Sequence, residues 1–120
     1  MATTKKFFYL ASCSTCARIM KEIGIEKSGV ELREIKSAPI TEKEMDEMIT
    51  LAGSAEVLFS RVALKYRALG LNEKKLTEKD YRKYILEEYT FLKRPVLVLG
   101  KKIFIGNTKK NVEEMSKALK

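Results

Sequence analysis

Lys6-Phe7-Phe8-Tyr9-Leu10-Ala11-Ser12-Cys13-Ser14-Thr15-Cys16 runs from an apolar, β-prone segment into a small-polar stretch that carries both cysteines of the chain. Lys6 to Leu10 predicts a strand, and Ala11 to Thr15 the loop that follows it. Cys16, Met20 and Ile23 then recur at the spacing of one helical face, and Gly24 stops that helix. Val30-Glu31-Leu32-Arg33-Glu34-Ile35 alternates apolar and charged residues, which predicts a half-buried strand. A strand, a helix and a strand in that order make the two strands parallel neighbours, because such crossovers are right-handed and return to the same sheet.

Further along the chain, Thr41 with Glu44 three residues later is a capping box, and Ile40 can pack on Met45 as a hydrophobic staple. Met45, Met48, Ile49 and Ala52 form the buried face of this second helix, and Gly53 ends it. A helical middle follows: Val57 to Leu69, closed by Gly70, then a segment opened by Thr77 and Asp80 with Leu76 facing Tyr81. It carries no strand signal. Val96 to Leu99 and Lys102 to Ile105 flank Gly100-Lys101, a two-residue link with glycine first, as a type II′ hairpin requires. Gly106-Asn107-Thr108 opens a last helix with Val112, Met115 and Leu119 on its inner face. The order is βαβα, a helical insert over about residues 54–92, then ββα, and the whole of 1–120 reads as one α/β domain.

A chain of 120 residues is the size of a single domain. Its 45% hydrophobic and 33% charged residues exclude disorder and fibrous repeats. The longest apolar runs, Phe7 to Ala11 and Pro95 to Leu99, fall far short of the roughly 18 residues of a membrane span. The opening Met1-Ala2-Thr3-Thr4-Lys5-Lys6 precedes only a short apolar run, so no secretory leader is expected. Two cysteines three apart are too few for a disulfide scaffold, and a cytoplasmic location is expected. The net charge is 24 − 16 = +8, which would steer an acidic protein, a nucleic acid or a small anion toward the surface. Yet 18 of the 24 cations are lysines interleaved with glutamates, the pattern of a solvated surface and no signature for direct nucleic-acid binding. The chain has no histidine, which excludes Cys-His and Ser-His catalysis.

The chemistry lies in Cys13-Ser14-Thr15-Cys16, placed where the first strand hands over to the first helix. A cysteine at a helix N-terminus faces unpaired backbone N–H groups and the positive end of the helix dipole, both of which favour thiolate. The second sulfur lies one turn along, close enough for a disulfide. This divides the labour: Cys13 attacks, and Cys16 resolves the mixed disulfide. Two other readings stand beside it. The pair is half of a zinc site, though the chain has no third cysteine and no histidine to complete the usual set, so no bound metal is expected. Or both cysteines merely pack, Cys16 being on the apolar face of its helix. A phosphatase loop fails by one residue, since Cys13 and Arg18 enclose four residues where five are needed. Arg94-Pro95 opens an apolar strand, and Arg94 and Arg61 can each offer a guanidinium to an anion or a thiolate.

Taken together, the cysteine pair after the first strand, the helical insert, Ser60-Arg61, Arg94-Pro95 before a hairpin and Ile105-Gly106-Asn107 before the last helix resemble the arsenate reductase-like family, which includes the regulator Spx. The likeness runs from Phe7 to about Leu119. It implies a thioredoxin-like fold with a helical insertion between its two halves, a cis Pro95 packed beside Cys13, and Arg61 and Arg94 near the nucleophile. It implies a thiol-dependent oxidoreductase with no bound cofactor, reduced from outside by glutathione, a glutaredoxin or a thioredoxin. Glutaredoxin-linked arsenate reductases use one essential cysteine and three arginines. This chain has Cys16 as well, and Ile105-Gly106-Asn107-Thr108 stands where the third arginine is expected. Spx-type proteins share the cysteine pair and contact the RNA polymerase α subunit through a glycine at the place of Gly53, which makes Gly53 the candidate partner contact. Three functions follow, in order: a thiol–disulfide redox protein, a redox-sensing regulator, and an arsenate reductase.

Overall fold

A computed structural model describes residues 5–61 and 64–119. They form two compact units, one of residues 5–38 with 94–119 and the other of the described residues within Pro39–Lys93. Among the described residues no helix is long and apolar enough to cross a membrane.

The first unit is a four-stranded mixed sheet with two helices. Its elements are β1 (Lys5–Tyr9), α1 (Ser14–Ile23), β2 (Glu31–Glu34), β3 (Val96–Leu99), β4 (Lys102–Ile105) and a final helix, Lys109–Ala118. The sheet order is β2-β1-β3-β4. β1 and β2 are parallel, with Phe7 beside Leu32 and Tyr9 beside Glu34, as the crossover rule requires. β3 is antiparallel to both β1 and β4. This is the βαβ…ββα arrangement expected of a thioredoxin-like fold. Period-two alternation sends Phe7 and Leu97 to one face, where they join Ile19 and Ile23 of α1, Ile25, Val30, and Val112 and Met115 of the final helix in one core cluster. Phe8, Val96 and Val98 are buried on the opposite face. Leu32 departs from the half-buried reading of β2: it is 37% exposed, because β2 lies at the sheet edge. At the hairpin, Gly100 has φ 63° and, among the described residues, no non-glycine has positive φ. Lys101 is therefore not left-handed, which fits type II′ and excludes type I′.

The second unit holds α2 (Glu42–Ala52), α3 (Leu64–Ala68) and α4 (Glu78–Glu87), with 3-10 turns between them; the final helix of the first unit is α5. The Thr41–Glu44 capping box closes in both directions, each bond 3.1 Å. Thr77 and Asp80 form a second box at the start of α4. The expected helix from Val57 to Leu69 is not continuous; its residues 62 and 63 lie outside the described residues. A 3-10 turn ends at Leu58, and Phe59 then makes an antiparallel bridge to Leu92. Ser60 N–H donates to Phe91 O (2.6 Å), and Lys93 N–H donates to Leu58 O (2.8 Å). The cause is aromatic packing. Phe59 stacks on Phe91 at 5.0 Å and meets Tyr81 at 4.9 Å between ring centroids, and all three rings are buried. That tertiary gain outweighs the local helical pattern.

Candidate active site

β1 ends at Tyr9, and the chain turns at once: Cys13 N–H donates to Leu10 O at 3.0 Å, closing a turn with Ala11 and Ser12 at its tip. Cys13 is the N-cap of α1, extended at φ −87° and ψ 113°, and its carbonyl accepts the Ala17 N–H at 3.1 Å. The sulfur makes no full capping hydrogen bond, and no acidic residue sits in the first turn of α1. The positive end of the helix is thus left to the thiol.

The two thiols are in different surroundings. Cys13 is partly exposed; Cys16 is 0% exposed, on the α1 face shared with Ile19 and Ile23. Burial pushes the Cys13 thiol up, but the Cys16 and Thr15 backbone N–H groups, the Cys16 thiol and the Arg94 charge together hold it below its ordinary value. For Cys16 burial prevails and pushes the thiol up to about 11, reinforced by its hydrogen bond to Cys13 and by the charge there. Both cysteines are free thiols.

Arg94 leads into β3 through a cis Arg94–Pro95 bond. Pro95 is buried, and its carbonyl accepts the Gly106 N–H at 2.9 Å, which extends the β3–β4 ladder and ties this segment to the sheet. The Arg94 charge acts on both sulfurs. Its Nη1 is buried and has no hydrogen-bond partner among the described residues. Cys13, Cys16, Arg94 and Pro95 all belong to the first unit. Arg61 and Gly53 belong to the second. There the Arg61 guanidinium donates to Glu56 Oε2 (2.6 Å) and to the Tyr81 hydroxyl (3.0 Å). Gly53 is the exposed C-cap of α2 at φ 94°. Among the described residues, no three His, Cys, Asp or Glu side chains converge as a metal site.

Sequence reasoning missed Glu34. It reads as a solvent-facing charge in an alternating strand, yet its Oε2 accepts the Ala11 N–H (2.9 Å), and its Oε1 accepts those of Ser37 (2.7 Å) and Lys36 (3.1 Å). Only the register that sets Glu34 beside Tyr9 reveals this.

Comparison with known proteins identifies relatives over nearly the whole chain. YusI, an uncharacterized protein of Bacillus subtilis (strain 168), is 27% identical over 113 residues, which covers 90% of this chain and 94% of YusI. MgsR, a regulatory protein of the same strain, is 25% identical over 113 residues, covering 92% of this chain and 89% of MgsR. Among solved structures, that of the YffB (PA3664) protein superposes with a TM-score of 0.81 at 19% identity, over 98% of this chain and 100% of the other. The sequence profile of the ArsC family matches residues 8–115, nearly the full described length, and the chain belongs to that family.

Proposed function

We propose that this chain is a thiol–disulfide redox protein in which Cys13 attacks and Cys16 resolves. The observation that supports this most is the opposition of two thiols in one helical turn: a partly exposed Cys13 held toward thiolate, and a buried Cys16 held as thiol. The Cys13 thiolate attacks a substrate disulfide, forming a mixed disulfide and releasing one substrate thiolate. Cys16 then gives its proton to the departing sulfur and attacks Cys13, releasing the second substrate thiol and leaving a Cys13–Cys16 disulfide. Two electrons pass from the pair to the substrate. Glutathione, a glutaredoxin or a thioredoxin restores the dithiol by the same exchange. Arg94 stabilises the attacking anion. A cycle of this kind belongs in a reducing, cytoplasmic compartment.

Alkylation of the reduced protein across pH, read at each cysteine by mass spectrometry, tests the reading. Cys13 reacts with a midpoint below 9.0 and Cys16 only well above it. Cys16→Ser accumulates a mixed disulfide at Cys13. A Cys13 midpoint at or above 9.0 removes the activated nucleophile.

A second reading keeps the same pair as a switch that governs docking to the RNA polymerase α subunit through Gly53. Its support is the similarity to MgsR, together with the exposure of Gly53 at a helix end. Pull-down with α subunit under oxidising and reducing conditions separates the two, and absence of binding in both states eliminates the regulator. The third, arsenate reduction, has the unpartnered Arg94 Nη1 as a donor for an oxyanion. It fails if arsenate is not turned over when glutathione, glutaredoxin and thioredoxin are all supplied.

A further inference from the structure

We propose that Glu34 is the positioning residue of the cysteine turn: by accepting the Ala11 N–H it holds the turn that sets Cys13 over the start of α1. The proposal rests on the reading of Cys13 as the attacking thiolate. The turn is anchored at its two ends by the buried Leu10 and Cys16, whereas Ala11, Ser12 and Ser14 are exposed and gain nothing from packing. Its own closing bond, Cys13 N–H to Leu10 O, leaves the Ala11 N–H unused. Glu34 Oε2 takes that donor at 2.9 Å, across a separation of 23 residues.

The carboxylate is itself fixed. The parallel register places Glu34 beside Tyr9, and Ile35 N–H donates to Tyr9 O at 3.0 Å, so β2 delivers the side chain to the end of β1. Its second oxygen is held by the Ser37 and Lys36 N–H groups, and its own carbonyl accepts the Ala38 N–H at 3.0 Å. Three backbone donors on one carboxylate, the Ala11 N–H foremost, keep it ionised below the ordinary carboxylate range. A side chain that only shaped the turn after β2 would need one oxygen, and the bond to Ala11 would have no purpose. That bond matters to the chemistry because the N–H groups of Thr15 and Cys16 favour the Cys13 thiolate only while the sulfur stays within reach of them, and hydrogen bonds weaken steeply with distance and angle.

The test compares the full-length wild type with Glu34→Gln and Glu34→Ala by the pH profile of Cys13 alkylation, with circular dichroism to confirm folding. Glu34→Ala is expected to slow Cys13 alkylation at pH 7 by about three- to tenfold while leaving the alkaline plateau unchanged, the signature of a smaller thiolate fraction. Glu34→Gln, which keeps one acceptor oxygen, falls between. Folded variants with an unmoved profile, even if less heat-stable, overturn the proposal, since a purely structural role predicts that result. Should neither variant fold, amide NMR of the wild type between pH 7 and pH 3 decides: the Ala11, Ser37 and Cys13 amide signals follow one midpoint, that of Glu34. A Cys13 signal indifferent to that midpoint overturns the proposal. The wild-type alkylation midpoint alone judges the thiolate reading, whereas the difference between wild type and variants judges Glu34.

Discussion

A thiol ionises early when the protein solvates its anion better than water does, and around Cys13 that solvation comes from amides and one guanidinium instead of an imidazole. Arg94 serves this end at some cost to the fold. Its buried Nη1 has no partner among the described residues, and an unsatisfied buried donor costs about 1–3 kcal/mol. Arg94→Ala is therefore expected to leave stability unchanged or raise it by about 1 kcal/mol, while slowing Cys13 alkylation at pH 7 by about threefold or more. Arg94→Lys, which keeps the charge but not the planar fork, recovers part of the rate. Paired thermal melts and alkylation rates on the three proteins check this. A variant that loses both stability and reactivity would show that Arg94 has a structural partner. At this scale the sequence told much about the sulfurs, because helix position and spacing are local facts. It told nothing of Glu34, whose role exists only once the strand register brings it to Ala11.

Elements with local signals follow their sequence closely. The box at Thr41 and Glu44 forms as the spacing demands, and Thr41→Ala is expected to cost about 1 kcal/mol in a denaturant melt. The Cys13 profile stays as in the wild type, since the capping bonds of Thr41 run to Glu44 in the first turn of its own helix. Gly53, at φ 94° and with nothing within 4 Å of where a methyl group would sit, is required by its backbone angle and not by lack of space. Gly53→Ala therefore costs about 1–2 kcal/mol, and Gly53→Asn less, because Asn tolerates the left-handed region. This pair separates a damaged helix end from a lost docking contact: binding to α subunit that fails with Ala but survives with Asn reports the backbone alone. Where signals conflict, the sequence is a poorer guide. The residues around Phe59 have a helical pattern, but the stack on Phe91 and the bridge to Leu92 couple positions more than 30 residues apart, and no local window contains that interaction.

For the whole molecule, the crossover rule made β1 and β2 parallel neighbours and the hairpin glycine paired β3 with β4, but the antiparallel β1–β3 pairing that joins the two halves of the sheet has no local signal; the cis state of Pro95 came only through family resemblance, since nothing local to Arg94-Pro95 specifies it. The free energy of folding also contains the titration of the buried thiol. Cys16 has a folded pKa raised to about 11 from an ordinary 9.0, chiefly by burial, so folding favours its protonated form. For a raised acid the stabilising contribution is fully present below the unfolded value and is lost as pH rises toward the folded one. The reduced protein is thus expected to hold its stability up to pH 9.0 on this account and to lose on the order of 2 kcal/mol by pH 11. Urea melts of reduced wild type and Cys16→Ala at several alkaline pH values isolate the effect, since both share every lysine that titrates in the same range. The wild type falls more steeply; Cys16→Ala, already weakened by the lost sulfur, shows the shallower slope. Oxidation to the Cys13–Cys16 disulfide removes the titrating thiol and flattens the wild-type curve in the same way. Equal slopes in the reduced wild type and Cys16→Ala would mean that the second sulfur ionises as freely folded as unfolded, and the asymmetry that divides attack from resolution would be lost with it.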